Sequence, residues 1–144
     1  MENKEICAKC GGKCCFNSPG VTFPEDWGLP SVEGEAKLKE ALLSGKWCVD
    51  WWEDDEQSLY YVRPAYKGLK SPVFHPGWGG ACGFLTKCGC ELTHDQRPIE
   101  CRELIPVEDG PCKGNPSFNK RSACLAWVPH REFFEKLKEE LWQP

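Results

Sequence analysis

Apolar residues in this chain recur in short periodic stretches, each bounded by glycine, proline or a cluster of charge. In SVEGEAKLKEALLSGK, Ala36, Leu38, Leu42 and Leu43 give the apolar side of a helix. Ser31 stands at the N-cap position, and Gly45 sits where a helix ends on a left-handed residue. KWCVDWWEDDEQSLYYVRPAY alternates instead, with Trp47, Val49 and Trp51 on one side. It predicts a β-hairpin whose turn is the acidic EDDE and whose return strand runs from Leu59 to Val62. Pro64 limits that strand.

SPVFHPGWGG reads as a turn-rich linker. In CGFLTKCGCELTHDQRPIECRELIP, Pro98 suits the first turn of a short helix running toward Leu104, and Pro106 ends it. From about Pro129 to Trp142 a last helix carries Phe133, Phe134, Leu137 and Leu141 on one stripe. On its outer side Glu132 pairs with Lys136 and Lys136 with Glu140. The expected fold is a single small irregular α+β domain over residues 1–144. It has one β-hairpin and two to three helices, built around a metal–thiolate core of cysteine-rich loops.

Composition narrows the function classes. With 40% hydrophobic and 28% charged residues the chain is globular rather than disordered. Its net charge is −4 and no segment is densely basic, so nucleic acid is not an expected partner. Every apolar run is far shorter than the ~20 residues that cross a bilayer, and no membrane role is expected. MENKEICAKC lacks the apolar stretch of a secretory signal, so the expected location is the cytoplasm.

Thiols stay reduced there, and eleven cysteines then point to metal ligation over disulfides. The cysteines stand at 7, 10, 14, 15, 48, 82, 88, 90, 101, 112 and 124. Two blocks dominate: Cys7, Cys10, Cys14 and Cys15 in CAKCGGKCC, and Cys82, Cys88, Cys90 and Cys101 in the second thiol-dense stretch. Four thiolates satisfy a tetrahedral zinc ion or the four irons of a cubane, and soft sulfur excludes calcium and magnesium.

Adjacent Cys14 and Cys15 diverge, so one binds a centre here while the other faces a second centre or the core. Cys88 and Cys90 form a C-x-C pair of the kind found in thiolate-rich sites with more than one metal. Two blocks so far apart in sequence meet only when the chain folds, which couples metal binding to folding. Neither the bacterial ferredoxin run nor zinc-finger spacing is present, so spacing does not choose iron over zinc. Cys48 and Cys124 fit buried small hydrophobes. His94, four residues past Cys90, is a candidate ligand or hydrogen-bond donor beside one. A catalytic thiol would need an activating base, and no Cys–His–Asn grouping can be read from these spacings.

In order, Cys7, Cys10 and the paired Cys14–Cys15, then CGFL from Cys82, Cys90, and RPIECRELIP from Arg97 to Pro106 resemble the YkgJ-type cysteine-cluster family, a zinc- or iron-chelating domain. The matched blocks cover roughly a third of the chain. The resemblance implies a compact module whose cysteines chelate iron, as an iron–sulfur cluster, or zinc. It names a cofactor class and no reaction. This chain departs from the pattern in its extra residue before the paired cysteines and in lacking an aromatic before Arg97–Pro98. Cys88, Cys112 and Cys124 are additions, candidate ligands peculiar to this chain that leave open a second centre.

Arg97 and Arg102 fit cluster-binding roles, offsetting thiolate charge and donating hydrogen bonds to sulfur. For Arg102, an ordinary ion pair with Glu100, Glu103 or Asp95 serves as well. The leading expectation is an iron–sulfur centre, most plausibly [4Fe–4S], serving electron transfer to a redox partner or acting as an accessory cluster. The alternative is a structural zinc module that docks a protein partner through its tryptophan-rich hairpin, with Trp51 and Trp52 as the contact residues.

Overall fold

The computed structural model describes residues 20–54, 57–67, 73–75, 80–86, 89–103 and 116–141. Its centre is the antiparallel hairpin of β1 (Trp47–Asp54) and β2 (Gln57–Pro64), in the register Trp47↔Pro64 through Asp54↔Gln57. β1 thus extends into the expected acidic turn, and β2 starts two residues before the expected return strand and ends at Pro64.

A two-stranded ribbon buried in a core leaves backbone groups that still need partners. Both edges of this hairpin are met. On the β1 side, Val49 N–H donates to Val73 at 2.7 Å and His75 N–H donates to Val49 at 3.0 Å, so residues 73–75 lie alongside the strand. The stretch expected to be only a linker therefore supplies an extra edge. On the β2 side, Thr22 N–H and Thr22 Oγ1 both donate to the Val62 carbonyl, at 3.1 and 2.7 Å. Trp127 Nε1 donates to the Thr22 carbonyl at 2.8 Å, and Trp27 Nε1 to its hydroxyl at 3.2 Å. Buried Thr22 is thus fixed from four directions, and it holds the neighbouring Gly20 and Val21 in place.

Helix α1 (Val32–Leu43) opens as its sequence requires: the Ser31 hydroxyl accepts from Gly34 N–H at 2.9 Å. Gly45 follows the helix at φ 82°, the left-handed conformation its position called for. The buried positions are Gly34, Leu38 and Leu42, a strict four-residue spacing. Ala36 and Leu43 fall off that line, and Leu43 is 56% exposed, since each residue turns the side chain by about 100°. After β2 the chain reverses, and β3 (Leu85–Thr86) pairs with β4 (Gly89–Cys90). One-turn α2 (Ile99–Arg102) follows, with Pro98 at its N-cap. Leu104 and Pro106, which were to complete that helix, lie outside the described residues.

The apolar pattern does not announce α3 (Lys120–Trp127), whose start is set by a reciprocal cap. Asn119 Oδ1 accepts from Ser122 N–H, and Ser122 Oγ from Asn119 N–H, both at 2.9 Å. A 3₁₀ turn at Val128–His130 leads into α4 (Arg131–Leu141); Trp142 lies outside the described residues. Phe134 and Leu137 are buried, and Phe134 packs on Tyr60 and Trp127 with ring centroids 5.3 and 5.4 Å apart. Lys136 pairs with Glu132 at 3.6 Å as expected, but Glu140 turns to Lys39 of α1 at 2.8 Å.

The main core joins Trp27, Leu38, Leu42, Val49, Tyr60, Val62, Trp127, Phe134 and their neighbours, with Trp47 and Trp51 packed against it. Both of those tryptophans are partly buried; the side chain of Trp52 lies outside the described residues. The expected small α+β architecture with one central hairpin is present; among the described residues the interior is two apolar clusters with a buried Asp50–Arg63 pair, and no metal–thiolate core is seen there. Among the described residues no helix is long and apolar enough to cross a membrane.

Candidate metal centre

Three cysteines of the second thiol block have described positions. Cys82 is buried; its backbone bridges to Tyr66, and it packs with Phe84 and Leu85 in a second small apolar cluster. Cys90, half-buried and directly opposite Leu85 in the β3–β4 pair, packs on the same cluster. Cys101 lies in α2, also half-buried. Among the described residues no three cysteine, histidine or carboxylate side chains converge as a metal-holding group. A four-thiolate set that used these cysteines would therefore also draw on others. Cys7, Cys10, Cys14, Cys15, Cys88 and Cys112 lie outside the described residues, as does the side chain of His94.

The chain leaving the N-terminal thiol block is nevertheless fastened to α2. Val21 N–H donates to Glu100 Oε1 at 3.0 Å, and Glu100 N–H donates to the Val21 carbonyl at 3.4 Å. A Cβ added at Gly20 would lie 2.3 Å from Cys101 Sγ, 3.4 Å from Cys101 N and 3.5 Å from Glu100 Cβ. Only a residue without a side chain allows this approach. Burial raises the Glu100 carboxyl above its ordinary range, against the Val21 hydrogen bond that lowers it.

The two arginines take more specific partners than the sequence suggests. Arg102 donates through Nη2 to Asp26 Oδ1 and through Nη1 to the Arg97 carbonyl. Its partner is thus a carboxylate 76 residues away rather than Glu100, Glu103 or Asp95. Asp26 also accepts from Phe23 N–H at 2.9 Å and Ile99 N–H at 3.3 Å through Oδ2. Arg97 Nε donates to the Leu92 carbonyl at 3.1 Å, closing the loop from Leu92 to Pro98. Both arginines line a cleft of about 380 Å³ between α1 and residues 92–102. Sequence reasoning missed Asp26 and Gly20 and weighed Glu100 only as a partner for Arg102, because nothing in the local pattern hints at contacts so distant along the chain.

A second polar cluster lies on the other face of the hairpin. Asp50 and Arg63 are 1% and 2% exposed, and Arg63 Nε donates to Asp50 Oδ2 at 2.9 Å. Tyr61 O–H donates to the same oxygen at 2.9 Å, and Trp51 N–H to Oδ1 at 2.7 Å. Arg63 Nη1 and Nη2 donate to the Pro64 and His75 carbonyls, both at 3.0 Å, and its guanidinium lies 4.2 Å over the Tyr66 ring. Burial pushes the Tyr61 phenol well up, and the Asp50 carboxylate adds to that. Every charge here has a partner, and the arrangement is that of a structural ion pair.

Cys48 and Cys124 are fully buried beside this network, as the sequence suggested for small hydrophobes. Burial pushes the Cys124 thiol up to about 11 from its ordinary 9.0, partly offset by Lys120. It is a poor nucleophile at neutral pH, because the thiolate is the reactive form. A raised folded-state value fixes the sign of its pH dependence. Stability from this thiol is fully present below pH 9, then falls as the unfolded chain ionises first, until pH passes about 11. The loss is on the order of 2 kcal/mol. Chemical denaturation at pH 8 and pH 11 should therefore show a smaller drop for Cys124→Ala than for the wild type. Equal drops would mean that this thiol meets water.

No family model matches the chain, and neither a curated protein nor a solved structure matches it.

Proposed function

We propose that this is a cytoplasmic cysteine-cluster protein whose two thiol blocks together hold an iron–sulfur centre, of [4Fe–4S] type, for electron transfer or as an accessory cluster. Cys7, Cys10, Cys14 and Cys15 form one half of the donor pool, and Cys82, Cys88, Cys90 and Cys101 the other. The observation that supports this reading is the seam between Gly20–Val21 and Glu100–Cys101. Four residues separate Gly20 from Cys15, so the five Cα–Cα steps between them reach at most about 18 Å in extended chain. The Cys14–Cys15 end of the first block is therefore tethered within reach of Cys101. A donor pool of sulfur with few histidines favours a soft metal centre, and the resemblance to the YkgJ-type family agrees with it.

The bound cluster would supply one-electron redox chemistry. The chain's own part is to bring the thiols together and to shield them with apolar neighbours such as Phe84, Leu85 and Leu92.

The test is metal and acid-labile sulfide analysis, with a visible spectrum, on protein purified without oxygen. Iron and sulfide in equal amounts with a brown colour are expected, and Cys101→Ser should lower both. Zinc without sulfide would replace this reading with a structural zinc module. A colourless protein with neither metal would end it.

A further inference from the structure

Beside the stripe that α1 buries in the core, the helix carries a second one, which lines a groove together with α4. The lining positions are 32, 35, 36 and 39 on α1 and 133, 136, 137 and 140 on α4. Both sets have the i, i+3, i+4, i+7 spacing of one helix face, a run of about 10 Å. Glu35, Phe133 and Lys136 also line a second cavity, which continues the groove past Leu29 and Pro129. The two cavities measure about 300 and 610 Å³.

The floor of this groove is set before anything binds. Phe133 and Leu29 pack with part of their surface against the main core and meet the groove with the rest. Pro24, Pro30 and Pro129 line it as well, and their rings restrict the backbone, so docking orders little. Val32 is 83% exposed, more than any other large apolar side chain among the described residues.

Charge decides what can cover such a face. With histidine taken as neutral, the charged lining groups are Glu25, Glu35, Glu132 and Glu140 against Lys39 and Lys136. Lys39 is paired with Glu140, and Lys136 with Glu132. Glu25 and Glu35 are exposed, and neither makes an ion pair among the described residues. The uncompensated charge is therefore negative. A second copy of the chain would bring the same carboxylates to the contact, and anionic lipid or nucleic acid would be repelled too. A cationic segment is attracted.

We propose that the α1–α4 groove docks a basic amphipathic helix of a partner protein. Its apolar side chains rest on Val32 and Phe133, and its lysines or arginines lie beside Glu25 and Glu35. A third helix laid between two others follows ordinary helix packing, and grooves of this kind read anchors at one-turn spacing. The groove is built from α1, α4 and the 3₁₀ turns that precede them, so it stands whatever metal the thiols hold.

The probe is a peptide of roughly 14 residues with leucine and lysine at helical spacing. Beside it are a counterpart with glutamate for lysine and one with serine for leucine. Each is fluorescently labelled and titrated with the full chain by anisotropy, up to about 1 mM protein. The leucine–lysine peptide should bind, and both counterparts should bind at least about tenfold more weakly. Val32→Ser, and Glu25→Gln together with Glu35→Gln, should each weaken that binding about threefold to tenfold. Glu91→Gln with Glu139→Gln removes two exposed carboxylates outside the groove and should change it less than about twofold. Absence of binding, equal binding of either counterpart, indifference to either groove substitution, or an equal effect of the Glu91 and Glu139 pair would overturn the proposal. So would a dimer in sedimentation that Val32→Ser abolishes, which would give the groove to a second copy.

Discussion

Asp50→Ala should cost about 3–5 kcal/mol of folding stability, the largest effect expected from a single substitution in this chain. The carboxylate itself contributes little net energy, because desolvating two charges consumes most of what their attraction returns. The cost arises from what is left behind. Arg63 is 2% exposed, and without Asp50 its guanidinium keeps two backbone carbonyls and a ring but no countercharge. Tyr61 loses the acceptor of its hydroxyl at the same time. Domains of this size hold roughly 5–15 kcal/mol in total, so the variant would lie near the edge of folding.

Two comparisons separate this cause from general damage. Replacing the pair together, Asp50→Leu with Arg63→Met, should recover most of the loss, because no buried charge remains. Lys120→Met should cost under about 1 kcal/mol, since Lys120 is 43% exposed and 4.0 Å from Asp50. Urea midpoints of the four proteins decide the matter. An Asp50→Ala midpoint close to wild type would mean that water reaches Arg63.

Gly20→Ala should disturb the thiol region more than any other single-methyl change. Its new Cβ would sit 2.3 Å from Cys101 Sγ, well inside contact distance, so either the thiol rotates away or the Val21–Glu100 seam opens. Overpacking of this kind costs about 1–3 kcal/mol. On the proposed function, metal content should fall by more than half, because Cys101 is a proposed ligand and its rotamer is the displaced element. Gly45→Ala is the control: it strains a residue at φ 82° by about 1 kcal/mol and should leave metal content unchanged. Equal metal loss in both variants would point to global destabilisation. Full retention in Gly20→Ala would take Cys101 out of the ligand set.

The sequence by itself determined whatever depends on neighbours along the chain. Ser31 and Gly45 bracket α1 because a cap and a left-handed terminus are local geometries. The alternation of Trp47, Val49 and Trp51 defined the hairpin because strand side chains change face with every residue. Burial of Cys48 and Cys124 could be read from their isolation from the thiol blocks.

Tertiary structure alone decided the rest. Asp26 meets Arg102 across 76 residues, and Glu100 receives Val21 across 79, pairings with no periodic trace in the sequence. Residues 73–75 became an edge beside β1 because buried backbone groups had to be satisfied, although their sequence reads as turn. Leu43 turned outward because α1 could present only one line of residues to the core. The density of thiols raised the expectation of a soft metal, but which thiols can meet depends on how the Gly20–Val21 segment docks on α2. That docking needs a glycine at one position and a carboxylate eighty residues later, and only the folded chain brings the two together.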